Sequence, residues 1–230
     1  MAHSDAHKKY LASKTIDYEK WHEGEGYDLN AFAQMTSEER EAEVQSICDM
    51  PSPDWRDLQV LRVHNTKQSI DRLRSLLARA SMDVRVYALR ELIKGGHTPG
   101  SVADVQLAHL LNEMQDDDTG LTQALLIAQN YAGPMSRLAL LHGARKHSSV
   151  ALHFASALLD LAQLSDDLAG FDPKFRPALL KLLPECTQEE RAAAFSKICA
   201  WLNIRENEIP EQGSGKERAW AEKQWGCKNF

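Results

Sequence analysis

Nine histidines, four cysteines and 33 Asp and Glu residues are the groups from which this 230-residue chain would have to build a catalytic or metal centre. The histidines do not fall at ligand spacing. His142 and His147 are five apart and point to different helix faces, and His153 lies in the most apolar segment, where a hydrogen-bonded core histidine is expected. Asp116-Asp117-Asp118 offers oxygens to a hard cation, yet neither the turn glycine nor the downstream Glu of a calcium loop accompanies it. A solvated connection between helices is the expectation there. Gly213-Ser214-Gly215-Lys216 has the outline of a phosphate loop. That loop needs a glycine where Pro210 stands and a Ser or Thr where Glu217 stands. There is no G-x-S-x-G elbow and no H-E-x-x-H pair. Glu38-Glu39 and Glu189-Glu190 fall in first helical turns, where carboxylates favour the helix dipole without any catalytic role. Enzyme chemistry is therefore not expected, nor any cofactor or metal site.

Binding chemistry is better represented. Between Trp21 and Tyr27, two aromatics, a histidine and two glycines alternate with Glu23 and Glu25, followed by Asp28. This stretch reads as a loop, either wrapped on the first helices with Trp21 and Tyr27 filling gaps, or offered as a contact surface with aromatic anchors. Trp21, Glu23, Glu25, Tyr27 and Asp28, with Asp116, Asp117 and Asp118, are the candidate partner-binding residues.

The elements that must position them are helical almost throughout. Thr36 with Glu39 three places on is a capping-box spacing that opens a helix over 36–48. Pro51 and Pro53 stop it, and Asp54 caps the next, which runs to about His64. A third spans about 66–80 with Ile70, Leu73, Leu76 and Leu77 on one face. A fourth follows Ser81-Met82-Asp83, with Val84, Ala88, Leu89, Leu92 and Ile93 as its stripe, and Gly95-Gly96 closes it. Further helices are expected over about 101–114, 121–131 and 134–146, the last with Pro134 in its first turn. A segment over 148–164, apolar nearly all round, is placed at the centre, and 173–184 and 187–202 complete the set. No strand pattern appears. The fold class expected is all-α, built of nine or ten helices as stacked hairpins in one domain over 1–204. Residues 1–15 should fray, and a polar tail, 205–230, should dock partly through Trp220 and Trp225.

Charge narrows the partner. The net charge is −6, and residues 1–60 carry 6 Lys and Arg against 13 Asp and Glu. An acidic chain lacks the clustered basic face that nucleic acid requires and suits a basic protein. No apolar run approaches the roughly 18–20 residues of a membrane span. No signal peptide is expected, since nothing apolar follows the basic pair Lys8-Lys9. Cys48, Cys186, Cys199 and Cys227 lie far apart without a C-x-x-C pair, which fits a reducing compartment, so a cytoplasmic location is expected.

Leu73-x-x-Leu76-Leu77, a short turn, then Asp83-Val84-Arg85-x-x-Ala88-x-x-x-Leu92 resembles one HEAT repeat, a helical hairpin that buries its stripe only against neighbours. Ile16 to Leu29, Asp54-Trp55-Arg56-Asp57-Leu58, Ala151-Leu152-His153-Phe154-Ala155 and Phe171-Asp172-x-x-x-Arg176-Pro177 are similar to segments of a bacterial family of HEAT-like proteins, often encoded beside polymorphic or secreted toxins. The resemblance covers about residues 16–204. The chain departs from it at Ala178-Leu179-Leu180, where a more aromatic segment is expected. The resemblance implies an α-solenoid and an immunity protein that occludes a cognate toxin, the acidic surface suiting a basic one such as a nuclease. The alternative is a cytoplasmic scaffold or adaptor with several partners.

Overall fold

The computed structural model describes residues 3–15, 26–114, 119–146, 148–164 and 168–226. The described residues hold thirteen α-helices and one 3-10 turn, Glu206–Glu208, and no strand. The all-α class is as expected, with more helices than the sequence signals announce. Among the described residues no helix is long and apolar enough to cross a membrane. The chain separates into two compact units, residues 1–98 and 99–230, and the stretch from 205 onward belongs to the second.

The first unit contains α1 (Asp5–Lys14), α2 (Leu29–Gln34), α3 (Ser37–Asp49), α4 (Trp55–His64), α5 (Lys67–Arg79) and α6 (Met82–Lys94). Where fraying was expected, α1 is a formed helix. The Ser4 side chain caps it, and His7 and Tyr10 are buried under it. Thr36 and Glu39 make the expected capping box of α3, and Asp54 with Asp57 makes a second one for α4. The α5–α6 pair is an antiparallel hairpin. Leu73, Leu76 and Leu77 are buried on one helix, and Val84, Ala88, Leu89 and Leu92 on the other. Arg85 Nε donates to the Leu77 carbonyl at 3.1 Å, reaching back across the turn that joins the two helices.

The second unit contains α7 (Gly100–Glu113), α8 (Leu121–Tyr131), α9 (Pro134–Arg145), α10 (Val150–Leu161), α11 (Arg176–Leu180), α12 (Gln188–Trp201) and α13 (Glu217–Trp225). Its hub is α9, which packs against α7, α10, α12 and α13. The central place expected for 148–164 therefore belongs to the preceding helix. His153 and Leu152 show why. His153 is exposed and Leu152 half-buried, because α10 touches α8, α9 and α11 and leaves one side to solvent. Phe154 lies so close to Gly143 on α9 that a Cβ there would stand 1.9 Å from its ring, so only glycine lets the two helices approach this closely. The segment expected over 173–184 is regular only over Arg176–Leu180, between Pro173 and Pro184. The tail docks through α13, where Ala221 is buried and Trp220 meets Trp225 edge to face at 5.4 Å.

The start of α9 has no cap of its own, since Gly133 precedes it and Pro134 opens it. Its amides are satisfied instead by Asp104 of α7, which is 6 % exposed. Asp104 Oδ1 accepts from Gly133 N at 3.0 Å and Ser136 N at 2.8 Å, and Oδ2 accepts from Met135 N at 3.0 Å. The Ser136 hydroxyl lies 2.6 Å from Oδ1. A Cβ on Gly133 would sit 2.6 Å from that carboxyl. Replacing Asp104→Ala strands several buried donors at about 1–3 kcal/mol each, so urea unfolding should show a loss of about 3 kcal/mol or more. Gly133→Ala should cost about 1–3 kcal/mol by displacing the carboxylate. In the double mutant Gly133→Ala should cost little, because the group it displaces is already gone.

Candidate functional site

Of the candidate partner-binding residues, Tyr27 and Asp28 are described. Trp21, Glu23, Glu25, Asp116, Asp117 and Asp118 lie outside the described residues. Tyr27 is half-buried and held on three sides. Tyr10 meets its ring edge-on at 5.8 Å, the Arg56 guanidinium lies 4.9 Å from its centroid, and Lys14 Nζ lies 5.9 Å away. Its hydroxyl hydrogen-bonds the Asp57 carboxylate, and burial raises its pKa above the ordinary tyrosine value. Burial also raises the pKa of Asp57. Asp28 is exposed and caps α2, its Oδ1 accepting from Ala31 N at 2.8 Å, while its own amide donates to Ser13 Oγ at 2.9 Å. Tyr27 thus lies against α1 and α4, and Asp28 leaves a carboxylate at the surface.

Beside Tyr27 the structure assembles a group of residues that sequence reasoning did not gather. Gly26 packs on α4, where a Cβ would lie 2.8 Å from Gln59 Oε1 and 3.7 Å from the Trp55 ring. Trp55 stacks on Tyr87 of α6 at 6.2 Å and 27°. The Arg90 guanidinium covers the other reach of Tyr87 at 4.7 Å. Glu91, fully buried, fixes this edge by accepting from Arg90 Nε at 2.8 Å and from Arg62 Nε at 2.6 Å. Tyr27, Arg56, Trp55, Tyr87 and Arg90 are all half-buried. They make two aromatic–arginine groups, Tyr27 with Arg56 and Trp55 with Tyr87 and Arg90, which adjoin at the neighbouring residues Trp55 and Arg56 of α4 and together form an aromatic–arginine ladder. The signal that could have found part of it is the spacing of Tyr87 and Arg90, three apart on one helix face.

Histidine and carboxylate groups also meet at α1. His3, His7 and Glu39 each place a ligand-capable atom within 4.8 Å of the others. Sequence reasoning passed over this pair, although His3 and His7 are four apart at a helix start. Glu39 belongs to α3, and only the fold brings it there.

In the second unit a cavity of about 340 Å³ opens between α7 and α9, lined by His109, Asn112, Met135, His142 and Gly213 among others. His142 Nε2 donates to the Pro210 carbonyl at 2.9 Å, which fixes the neutral tautomer with its proton on Nε2. The phosphate-loop outline at 213–216 is exposed but already occupied. The amides of Glu217 itself and of Gly213, Gly215 and Ser214 address the Glu217 carboxylate and lower its pKa, so the nest holds a side chain of its own chain. Cys48, Cys186 and Cys199 are free thiols, and burial pushes Cys199 up to about 12, well away from a reactive thiolate.

Burial lowers the His142 pKa. The folded unit therefore binds a proton there less readily than the unfolded chain, whose histidines titrate near pH ~6.5. The stabilisation is complete above that pH and is lost as the pH falls through the lower folded value. Thermal unfolding followed from pH 7.5 to 5 should show stability falling, and His142→Asn should flatten that slope. His64, also lowered by burial, should leave a residual slope of the same sign.

No family model, curated protein or solved structure matches the chain, which leaves these contacts as the ground for a functional reading.

Proposed function

We propose that this is an immunity protein, a cytoplasmic helical binding module that occludes a cognate bacterial toxin. The observation that carries the reading is the aromatic–arginine ladder of Tyr27, Arg56, Trp55, Tyr87 and Arg90. Interfaces draw most of their energy from a few such side chains, with Trp, Tyr and Arg over-represented among them. Here they are already held: Trp55 rests on Tyr87, and Glu91 fixes Arg90. Little side-chain freedom remains to be lost on association. The acidic first sixty residues, with Asp28, Glu38 and Glu41 exposed, favour a basic partner such as a nuclease and would steer its approach. In this reading Glu23 and Glu25 imitate nucleic-acid phosphates toward that partner. The α5–α6 hairpin, with its interleaved leucines and the Arg85–Leu77 bond, supports a HEAT-like unit as the scaffold. Occlusion requires no catalytic group of the module.

The test is affinity capture with the full chain from cells of its own host, followed by expression of the captured partner alone and together with this chain. One stoichiometric partner, toxic alone and tolerated in the pair, is expected. Tyr87→Ala and Trp55→Ala should each weaken binding by about 30-fold, the equivalent of a hot spot worth about 2 kcal/mol. Circular dichroism should confirm that both variants remain folded. Glu23→Lys with Glu25→Lys should slow association. Several weak partners, or a partner indifferent to the ladder variants, would replace this reading with the adaptor.

A further inference from the structure

The geometry points to a binding site for a divalent transition-metal ion, with Zn²⁺ the best match, formed by His3, His7 and Glu39 where α1 meets α3. The site does not depend on the binding function proposed above. Its ligand atoms come from two elements. His3 precedes the Ser4 cap and His7 lies in the first turn of α1, four residues on. Glu39 stands at the third position of α3. One atom of each lies within 4.8 Å of the other two.

A second, independent observation is the state of His7. The residue is 6 % exposed, and its Nε2 lies 3.2 Å from Glu43 Oε1. Its Nδ1 is buried, has no hydrogen-bond partner among the described residues, and faces Glu39 Oε1 at 3.4 Å. In the tautomer that places the ring proton on Nε2, toward Glu43, Nδ1 offers a lone pair toward the Glu39 carboxylate. A buried acceptor left this way costs free energy. A cation between the two atoms removes the cost. The carboxylate behind the imidazole is the outer-shell partner that metal-binding histidines ordinarily have, orienting the ring and raising its basicity. The 3.4 Å separation also fits, being about the edge of a tetrahedron whose bonds to nitrogen and oxygen are about 2.0–2.1 Å.

Glu39 is prepared for the role. Oε1 accepts from Ser4 N at 2.7 Å, and Oε2 accepts from Ser4 Oγ at 2.7 Å and Thr36 N at 3.1 Å. These bonds hold the carboxylate in place and keep a lone pair of Oε1 free for a metal. The bonds from Ser4 bring the Glu39 pKa down to about 2, so the ligand is charged at any physiological pH. His3, exposed and set edge-on to His7 at 4.3 Å, closes the site from the solvent side and leaves a fourth position for water. Two imidazoles and one carboxylate suit zinc, whereas calcium and magnesium take oxygen ligands. The ion would clasp the start of α1 to α3.

The experiment is zinc titration of the full-length, tag-free chain, stripped with chelator, by calorimetry and thermal melting. Cobalt(II) absorption would report the coordination geometry. One ion per chain is expected, with a zinc-dependent rise in Tm and a tetrahedral cobalt spectrum. His3→Ala should weaken zinc by at least 10-fold and leave the metal-free Tm unchanged, because His3 is exposed. Glu43→Gln, an outer-shell change, should weaken it by about 10–100-fold. Absence of zinc uptake would overturn the site. Uptake that His3→Ala does not alter would overturn it equally, by placing the ion elsewhere.

Discussion

Each α-helix begins with amides that have no partner inside it, and in this protein the acceptors that answer them also decide which helices meet. Ser4, Asp28, Thr36, Asp54, Thr66 and Thr187 each satisfy their own helix start. For α9 no such side chain exists, and the acceptor comes from Asp104 on α7. That substitution of a tertiary cap for a local one ties the start of α9 to α7. Its first turn cannot be satisfied unless α7 is present and in register. Once placed, α9 offers Gly143 as the close-approach point for Phe154 of α10 and also packs against α12 and α13. A buried carboxylate serving several amides is costly to desolvate, and the cost is offset only by the full set of bonds. The arrangement therefore tolerates few alternatives, which favours one packing of the second unit over others.

In the first unit the capping carboxylates do double duty. Glu39 closes the box with the Thr36 amide and also receives the amide and hydroxyl of Ser4, thirty-five residues away. Asp57 returns to the Asp54 amide and also takes the Tyr27 hydroxyl. A cap alone contributes about 1 kcal/mol. Joining it to a distant donor ties a loop or a second helix to the same carboxylate, so one residue sets local and tertiary geometry together. Tyr27 is placed this way, and with it one end of the aromatic–arginine ladder. Glu91 does the same at the other end without being a cap, by holding Arg62 of α4 and Arg90 of α6.

The helices that could be read from the sequence are those with a cap signal and a long apolar stripe. Thr36, Asp54, Thr66 and Thr187 mark starts within a residue of those observed, and Gly95 and Pro134 mark an end and a beginning. The three that escaped are α1, α2 and α13. The six residues of α2 span fewer than two turns, too short for any period to show. In α1 and α13 polar residues dominate, and one or two buried side chains, His7 with Tyr10 and Ala221, replace a stripe. Their stability comes from tertiary contact, which local pattern does not encode. The ladder was hidden for a related reason. Trp55 and Tyr87 are thirty-two residues apart and meet only because α4 and α6 pack side by side. His3 and His7 were visible as a pair, but Glu39 joins them only in the fold, through its bonds from Ser4 and its approach to His7.

On the binding reading, charge and packing fall to different residues of the first unit. The arginines of the ladder are largely neutralised by neighbours, Arg56 by Asp54 and Arg90 by Glu91. The exposed carboxylates Asp28, Glu38, Glu41 and Asp49 keep that unit's surface acidic without entering the ladder. Long-range attraction acts on the approach of a partner and is screened by salt. Desolvated aromatic contact acts on its release. A partner selected for charge alone would therefore arrive quickly and leave quickly. Retention requires a surface complementary to Trp55 and Tyr87, which are held too firmly by α4 and α6 to reshape themselves for many partners. That rigidity favours one cognate protein over a range of weak ones, since promiscuous surfaces generally rely on side chains that can repack.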